Sequence, residues 1–156
     1  ALNPPDTALF LDAGGADDPT DIEALLEPIE GDEADLVIGS RTTGEIEAGA
    51  LTPVQHFGNV LSCILIRLIF GVKFTDLGPF RAIRWSALER LEMADPDFGW
   101  TVEMQAKAAR RNLRCKEVPV HCKNRYAGES KISGTVRGSI RAGTKILYTI
   151  GREAIR

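Results

Sequence analysis

The sequence predicts an α/β domain in which a partial, parallel-rich sheet is flanked by helices. Three observations support this class. Two short apolar runs, Leu9-Phe10-Leu11 and Leu36-Val37-Ile38, lead into polar residues, as buried strands do at the carboxyl edge of a parallel sheet. A helical pattern with its own start signal separates them, which makes a βαβ unit with a right-handed crossover. Longer stretches of helical periodicity then alternate with single strand-like runs. With 156 residues, 44% hydrophobic and 26% charged, one core and one domain over residues 1–156 are expected.

Residues 7–11 form the first strand and deliver Asp12 to the sheet edge. Ala13-Gly14-Gly15-Ala16 is a small-residue loop, and Asp18-Pro19-Thr20-Asp21 reads as a helix start, with Asp18 at the N-cap and Pro19 at the first helical position. Ile22, Leu25, Leu26 and Ile29 recur on one face of that helix, with Glu23, Glu27 and Glu30 facing water. The second strand covers residues 35–41, so Asp12 and Arg41 emerge on the same rim, where ligands of such sheets bind. Residues 42–53, rich in Gly, Thr and Glu, read as a mobile loop. Residues 54–70 are helical, with Val54, Phe57, Leu61, Ile64 and Leu68 among those at core spacing. This helix is apolar nearly all round in its last dozen residues, so it is either deeply buried or partly membrane-facing, and burial is the expectation.

A short helix follows over residues 85–91, a longer one over 98–112, and a strand over 113–122 in which Leu113, Cys115, Val118 and Val120 are candidates for burial. Residues 123–131 form a basic, glycine-containing loop. Residues 134–156 then form an amphipathic C-terminal helix, with Val136, Ile140, Leu147 and Ile150 set against Arg137, Arg141, Lys145 and Arg152.

The run from Phe74 to Arg84 places one acid, a Gly-Pro turn and a guanidinium between an apolar helix and an apolar strand. Gly78 tolerates unusual dihedrals and Pro79 presets its own φ. Asp76 held at such a turn beside Arg81 suits proton abstraction or a grip on a polar substrate. The same residues also suit a structural turn that Asp76 closes by pairing with Arg81.

The net charge of −3 conceals a split: residues 1–106 carry −13 and residues 107–156 carry +10. The C-terminal third therefore suits an anion, unless the two parts neutralise each other on folding. Nucleic acid is not the expected partner, because Trp85, Trp100 and Tyr126 do not interleave with the cations as stacking platforms would. Cys63, Cys115 and Cys122 lack metal-ligand or CxxC spacing and read as reduced core thiols of a cytoplasmic protein. No signal peptide is read, and no apolar run approaches the roughly 20 residues that span a bilayer.

Leu11-Asp12 with Asp18-Pro19, Val37-Ile38-Gly39-Ser40-Arg41, Thr75-Asp76 with Pro79-Phe80-Arg81, Glu103-Met104-Gln105, Glu117-Val118-Pro119-Val120, and Arg125 with Gly128-Glu129-Ser130-Lys131 follow one another along the chain. In this order and spacing they resemble the family 2 glycosyltransferases over nearly the whole chain. Within that family the chain looks most like the dolichyl- and polyprenyl-phosphate sugar transferases. The resemblance implies a partial glycosyltransferase A-type, nucleotide-diphospho-sugar transferase-like fold. It also implies transfer of a sugar from a nucleoside diphosphate sugar to a polyprenyl phosphate or similar acceptor. Mg²⁺ or Mn²⁺ is implied at a DxD motif whose first acid is matched by Asp12, where a hard cation neutralises the leaving diphosphate. By the same resemblance Asp76 is the base that activates the acceptor oxygen, and Arg81 orients it or its partner. Glu103 and Gln105 would line the acceptor side, with Arg41 near the donor. Arg125, Ser130 and Lys131 match a loop that closes over phosphate.

Two departures bear on activity. The motif reads Asp12-Ala13-Gly14, so Gly14 stands in place of the second metal carboxylate and weakens metal binding, with Asp17 or Asp18 as substitutes. The family also places a strand-rich nucleotide-binding half before this point. The expectation is a C-terminal portion with little turnover on its own, or else a non-catalytic binding module docking to a membrane surface or a partner protein. Its first strand is expected at an open sheet edge, where a second copy could pair. The C-terminal helix suits reversible contact with anionic headgroups, peripheral to the inner membrane, or packing of its apolar face on the sheet.

Overall fold

The computed structural model describes residues 5–97, 99–125 and 135–155. Strands β1 (Thr7–Phe10), β2 (Leu36–Ile46), β3 (Arg81–Arg84) and β4 (Cys115–Cys122) form one sheet in the order β1-β3-β2-β4. Among the described residues five helices flank it: α1 (Ile22–Glu30), α2 (Pro53–Phe70), α3 (Trp85–Leu91), α4 (Trp100–Arg110) and α5 (Val136–Ile155). The α/β class is thus as expected. The period-2 alternation of the strands divides the core between two faces. Leu36, Ile38 and Ile83 point to the cluster that includes Ile66, Met104 and Ile150 of α2, α4 and α5. Val37, Ala82 and Val120 point to the cluster with Leu25 and Ile29 of α1.

β1, β2 and β4 run in one direction and β3 runs against them; β2 and β4 form the parallel pair. The βαβ unit departs from expectation here, because β3 lies between β1 and β2, antiparallel to both. Hydrophobic periodicity marks a buried strand without naming its neighbour. The carboxyl ends of β1 and β2 still share one rim, and β1 is the end strand of the sheet.

The helix starts follow their caps. Asp18 accepts a hydrogen bond from Thr20 N–H at 3.1 Å, opening a 3₁₀ turn that runs into α1. α2 opens on a reciprocal capping box between Thr52 and Gln55 and closes on Gly71 in the left-handed region, φ 76°. Cys63 and Cys115 are free, and burial pushes both thiols up to about 12, so neither is an available thiolate at neutral pH.

Three further expectations are corrected. Residues 42–46 are not loop: they continue β2, which resumes pairing with β4 at Glu45 opposite His121. Between Ser40 and Glu45 four residues of β2 stand opposite Val120 alone, next to Pro119, which has no N–H to give the ladder. Gly44 makes this possible, since a Cβ there would lie 2.1 Å from the Val120 carbonyl oxygen.

The second correction concerns α2. Its buried residues are Asn59, Ser62, Cys63 and Ile66, whereas Val54, Phe57, Ile64 and Leu68 are exposed. With 18 residues and a mean hydropathy of 1.3, it is also long and apolar enough to cross a membrane by length and composition. The third concerns α5, which packs against α2 and α4 through Ile146, Thr149, Ile150 and Glu153. Its Val136, Ile140 and Leu147 stay exposed, so only Ile150 and its neighbours behave as core.

Candidate active site

The turn between α2 and β3 is held almost entirely by side chains. Glu117 of β4 accepts the Thr75 N–H at 2.8 Å, the Thr75 hydroxyl at 2.9 Å and the Asp76 N–H at 3.2 Å. Asn59 of α2 donates to the Thr75 carbonyl at 3.2 Å and accepts the Leu77 N–H at 2.8 Å. Gln105 of α4 donates to the Asp76 carbonyl at 3.0 Å. Arg81 of β3 donates to the Gly78 carbonyl through Nε and Nη2, to the Thr101 carbonyl at 3.0 Å and to Gln105 Oε1 at 3.2 Å. Side chains from β4, α2, α4 and β3 thus hold the Thr75 and Asp76 N–H and C=O groups, the Leu77 N–H and the Gly78 carbonyl, which leaves the turn little room to move.

The turn presents one carboxylate. Asp76 is fully buried, and Arg41 binds it three times: N–H to Oδ2 at 2.7 Å, Nε to Oδ2 at 2.8 Å and Nη2 to Oδ1 at 2.6 Å. The interrupted ladder of β2 explains the first bond, since Arg41 sits in the irregular stretch where its N–H is released from β4. Burial works against the Arg41 guanidinium, but the bonds to Asp76 outweigh it and hold its pKa above the ordinary value. Arg81 lies underneath, fully buried, with its guanidinium 5.1 Å from the Trp100 ring centroid. Burial pushes Arg81 down to about 9, against the field of Asp76.

A second ion pair stands on the same rim. Arg125 Nη2 donates to Asp12 Oδ2 at 2.8 Å, and the Gly14 N–H donates to Asp12 Oδ1 at 3.3 Å. A Cβ at Gly14 would lie 3.2 Å from Asp12 Oδ2 and 3.3 Å from Arg125, so the small residue makes room for this guanidinium. Asp17 links the two pairs. Its carboxylate accepts the Asp12 N–H at 2.7 Å and lies within electrostatic reach of Arg41 and Asp76. Burial pushes the Asp17 pKa up, and the Asp12 N–H opposes that rise. No cluster of three or more ligating side chains occurs among the described residues. Asp12 with Asp17 behind it suits only a hard cation that takes one or two carboxylates and keeps the rest of its shell for water and phosphate.

No protein-family model matches the chain. Curated relatives do. The chain is 31% identical over 140 residues to the undecaprenyl-phosphate mannosyltransferase of Micrococcus luteus, covering 85% of this chain and 56% of that protein. It is 34% identical over 131 residues to an uncharacterised glycosyltransferase of Mycobacterium tuberculosis, covering 83% and 58%. It is 29% identical over 148 residues to the UDP-N-acetylglucosamine–dolichyl-phosphate N-acetylglucosaminyltransferase of Methanococcus voltae, covering 93% and 57%. The chain is a homologue of the family 2 glycosyltransferases. It spans a little over half the length of these relatives.

Within this glycosyltransferase homologue the expected site residues fall into two groups. Asp12, Arg41, Asp76 and Arg125 meet at the rim of the sheet. Arg81 and Gln105 lie beneath it as braces: Asp76 pairs with Arg41, and Arg81 donates to the Gly78 and Thr101 carbonyls and to Gln105. Glu103 sits elsewhere. Its buried carboxylate accepts the Ala94 and Asp95 N–H groups and pairs with Lys107 at 2.9 Å and Arg152 at 3.1 Å, tying α4, α5 and the loop between α3 and α4 together. Burial works to raise its pKa, but Lys107 and the Asp95 and Ala94 N–H groups outweigh burial and hold it below the ordinary value. Ser130 and Lys131 lie outside the described residues. Two clamps, Glu117 and Asn59, had no assigned role in the sequence reading. Their signal was a polar residue in an otherwise apolar strand and helix, which points to a buried partner without identifying it.

Proposed function

We propose that this chain supplies part of the machinery for transferring a sugar from a nucleoside diphosphate sugar to a polyprenyl phosphate. The observation that carries this reading is the pair of ion pairs, Asp12–Arg125 and Asp76–Arg41, assembled on one rim by a sheet whose relatives are glycosyltransferases. In this reaction the sugar C1–O bond to the diphosphate breaks, an acceptor phosphate oxygen bonds to C1, and the nucleoside diphosphate leaves. A phosphate monoester is already anionic near neutral pH, its second pKa being about 6, so the nucleophile needs little help from a base. Asp76 then acts by fixing the Arg41 guanidinium rather than by taking a proton. Arg41 and Arg125 supply fixed positive charge for phosphate oxygens, Arg125 by exchanging its bond to Asp12 for one to the substrate. A bound Mg²⁺ or Mn²⁺, held by Asp12 with Asp17 behind it, would neutralise charge on the leaving diphosphate.

The test is transfer activity of the intact protein with nucleotide sugar, polyprenyl phosphate and metal. Arg125→Ala should lower kcat by about 10²–10³-fold, as loss of a preorganised electrostatic contact does. Unchanged activity would remove Arg125 from the site. The Gly at position 14 keeps a second reading open, in which the rim binds without catalysing. Saturable Mn²⁺ binding that Asp12→Ala abolishes supports the enzyme, whereas no binding at millimolar metal supports the binding module.

A further inference from the structure

We propose that Arg125 and a divalent cation exclude each other at Asp12, so that arrival of the cation is what releases this guanidinium to phosphate. The proposal deepens the transfer reading and rests on it for the class of cation. The exclusion itself stands on the geometry of the rim.

Both oxygens of the Asp12 carboxylate are engaged by the chain. Oδ2 accepts Arg125 Nη2 at 2.8 Å, Oδ1 accepts the Gly14 N–H at 3.3 Å, and the Asp12 N–H is tied to Asp17 at 2.7 Å. With no group of three ligating side chains among the described residues, Asp12 offers a cation little beyond its own carboxylate. A hard cation about 2.1 Å from Oδ2 would stand no more than about 5 Å from the Arg125 nitrogen on the same oxygen. A dication and a guanidinium that close repel each other, and a half-exposed ion pair returns only a modest attraction. One occupant therefore displaces the other.

The rim also decides which group yields. Arg41 makes three hydrogen bonds to Asp76 and its side chain is 17% exposed, so it stays. Arg125 holds Asp12 by one bond and is 40% exposed. The chain leading to it is fastened: the Lys123 N–H donates to the Ala16 carbonyl at 2.8 Å, Lys123 Nζ pairs with Asp18 at 2.6 Å, and Asn124 donates to the Ala48 carbonyl at 3.1 Å. Only the Arg125 side chain has to swing, from an anchored backbone, to carry its charge from Asp12 to a phosphate oxygen. Gly14 is a second sign that the pair is built into the fold, since a Cβ there would lie 3.3 Å from Arg125 Cδ and Cζ. Asp12, Asp17 and Asp76 already outnumber Arg41 and Arg125 on the rim, and moving Arg125 away deepens the negative field that a dication answers. Cation and diphosphate are then taken up together, because the first frees the group that grips the second.

Mn²⁺ alone tests this on the intact protein, with the electron paramagnetic resonance of the free ion as readout. Arg125→Gln should bind Mn²⁺ at least about tenfold more tightly than the wild type, since an ion pair and a like-charge repulsion disappear together. Asp12→Asn should abolish binding with or without Arg125. Phenylglyoxal labelling of Arg125, read by peptide mass spectrometry, should rise severalfold on adding Mn²⁺ to the wild type and ignore Mn²⁺ in Asp12→Asn. Unchanged or weaker Mn²⁺ binding in Arg125→Gln overturns the exclusion, as does labelling that saturating Mn²⁺ leaves unaltered. Absence of binding by both proteins at millimolar Mn²⁺ overturns it too, whereas binding by Arg125→Gln alone supports it, with the guanidinium winning outright. Transfer lost in Arg125→Ala with Mn²⁺ affinity unmoved in Arg125→Gln would sink the exclusion and keep the transfer reading. Tighter Mn²⁺ binding with transfer unaffected would do the reverse.

Discussion

Asp76→Asn keeps the shape of a fully buried side chain while removing its charge and turning one acceptor oxygen into a donor that faces Arg41. The wild-type carboxylate takes three hydrogen bonds from Arg41, whose side chain is only 17% exposed, so the guanidinium loses its counterion with little water to replace it. Breaking a buried pair from one side costs about 3–5 kcal/mol. Partial access to water and the nearby Asp17 carboxylate put the cost at the low end, about 3 kcal/mol. Removing both partners should be much milder: Arg41→Met with Asp76→Asn should recover at least about 1.5 kcal/mol of that loss, because no unpaired charge remains. Urea unfolding of the wild type, both single variants and the double variant measures the coupling directly. A single-variant cost below about 1 kcal/mol, or additivity within about 0.5 kcal/mol, would refute the pair as the organising contact of the site.

Glu117→Ala should cost about 2–4 kcal/mol, because it orphans the Thr75 and Asp76 N–H groups of a buried turn. The same unfolding assay reads it, and a neutral result would mean that Asn59 and Gln105 suffice. Gly44→Ala forces a Cβ to within 2.1 Å of the Val120 carbonyl oxygen and should destabilise by more than about 3 kcal/mol, visible as a depressed melting temperature. An unchanged melting temperature would show that β2 and β4 do not approach this closely. His121 donates its N–H to Asp21, and the Asp21 carboxylate beside its ring holds the imidazole above its ordinary value of 6.5. A raised folded pKa means that the pair stabilises fully below pH 6.5 and loses its contribution as pH rises through the folded value. The urea midpoint should therefore fall with pH above about 6.5 in the wild type and less so in His121→Gln, and equal slopes would contradict the pairing.

Local features of this chain were legible because their physics is local. Asp18 acts within one helical turn, and α1 begins after its cap. The unbroken apolar run Leu36-Val37-Ile38 specified a strand buried on both faces, and β2 is that strand. The presence of an acid at a rigid turn was equally visible at Asp76, as was the shared rim for Asp12 and Arg41, which needs only that the two strands run the same way.

Other features depended on which element lies beside which. Asp76 has Arg81 five residues away in sequence, yet its partner is Arg41, thirty-five residues away, because β2 passes over the turn while Arg81 is drawn underneath to the Gly78 and Thr101 carbonyls. The strand between β1 and β2 arrives only after the α2 excursion, and no periodicity within either strand records it. The resemblance set Glu103 on the acceptor side, but the loop at Ala94 and the arrival of Arg152 from α5 claim both of its oxygens. In α2 the sequence carries an apolar stripe with polar residues among it, Asn59 and Ser62 included; hydrophobicity alone turns the stripe inward. The tertiary structure turns it outward, because a buried turn needs the Asn59 amide, and satisfying backbone polar groups in the core constrains the helix more tightly than covering apolar surface.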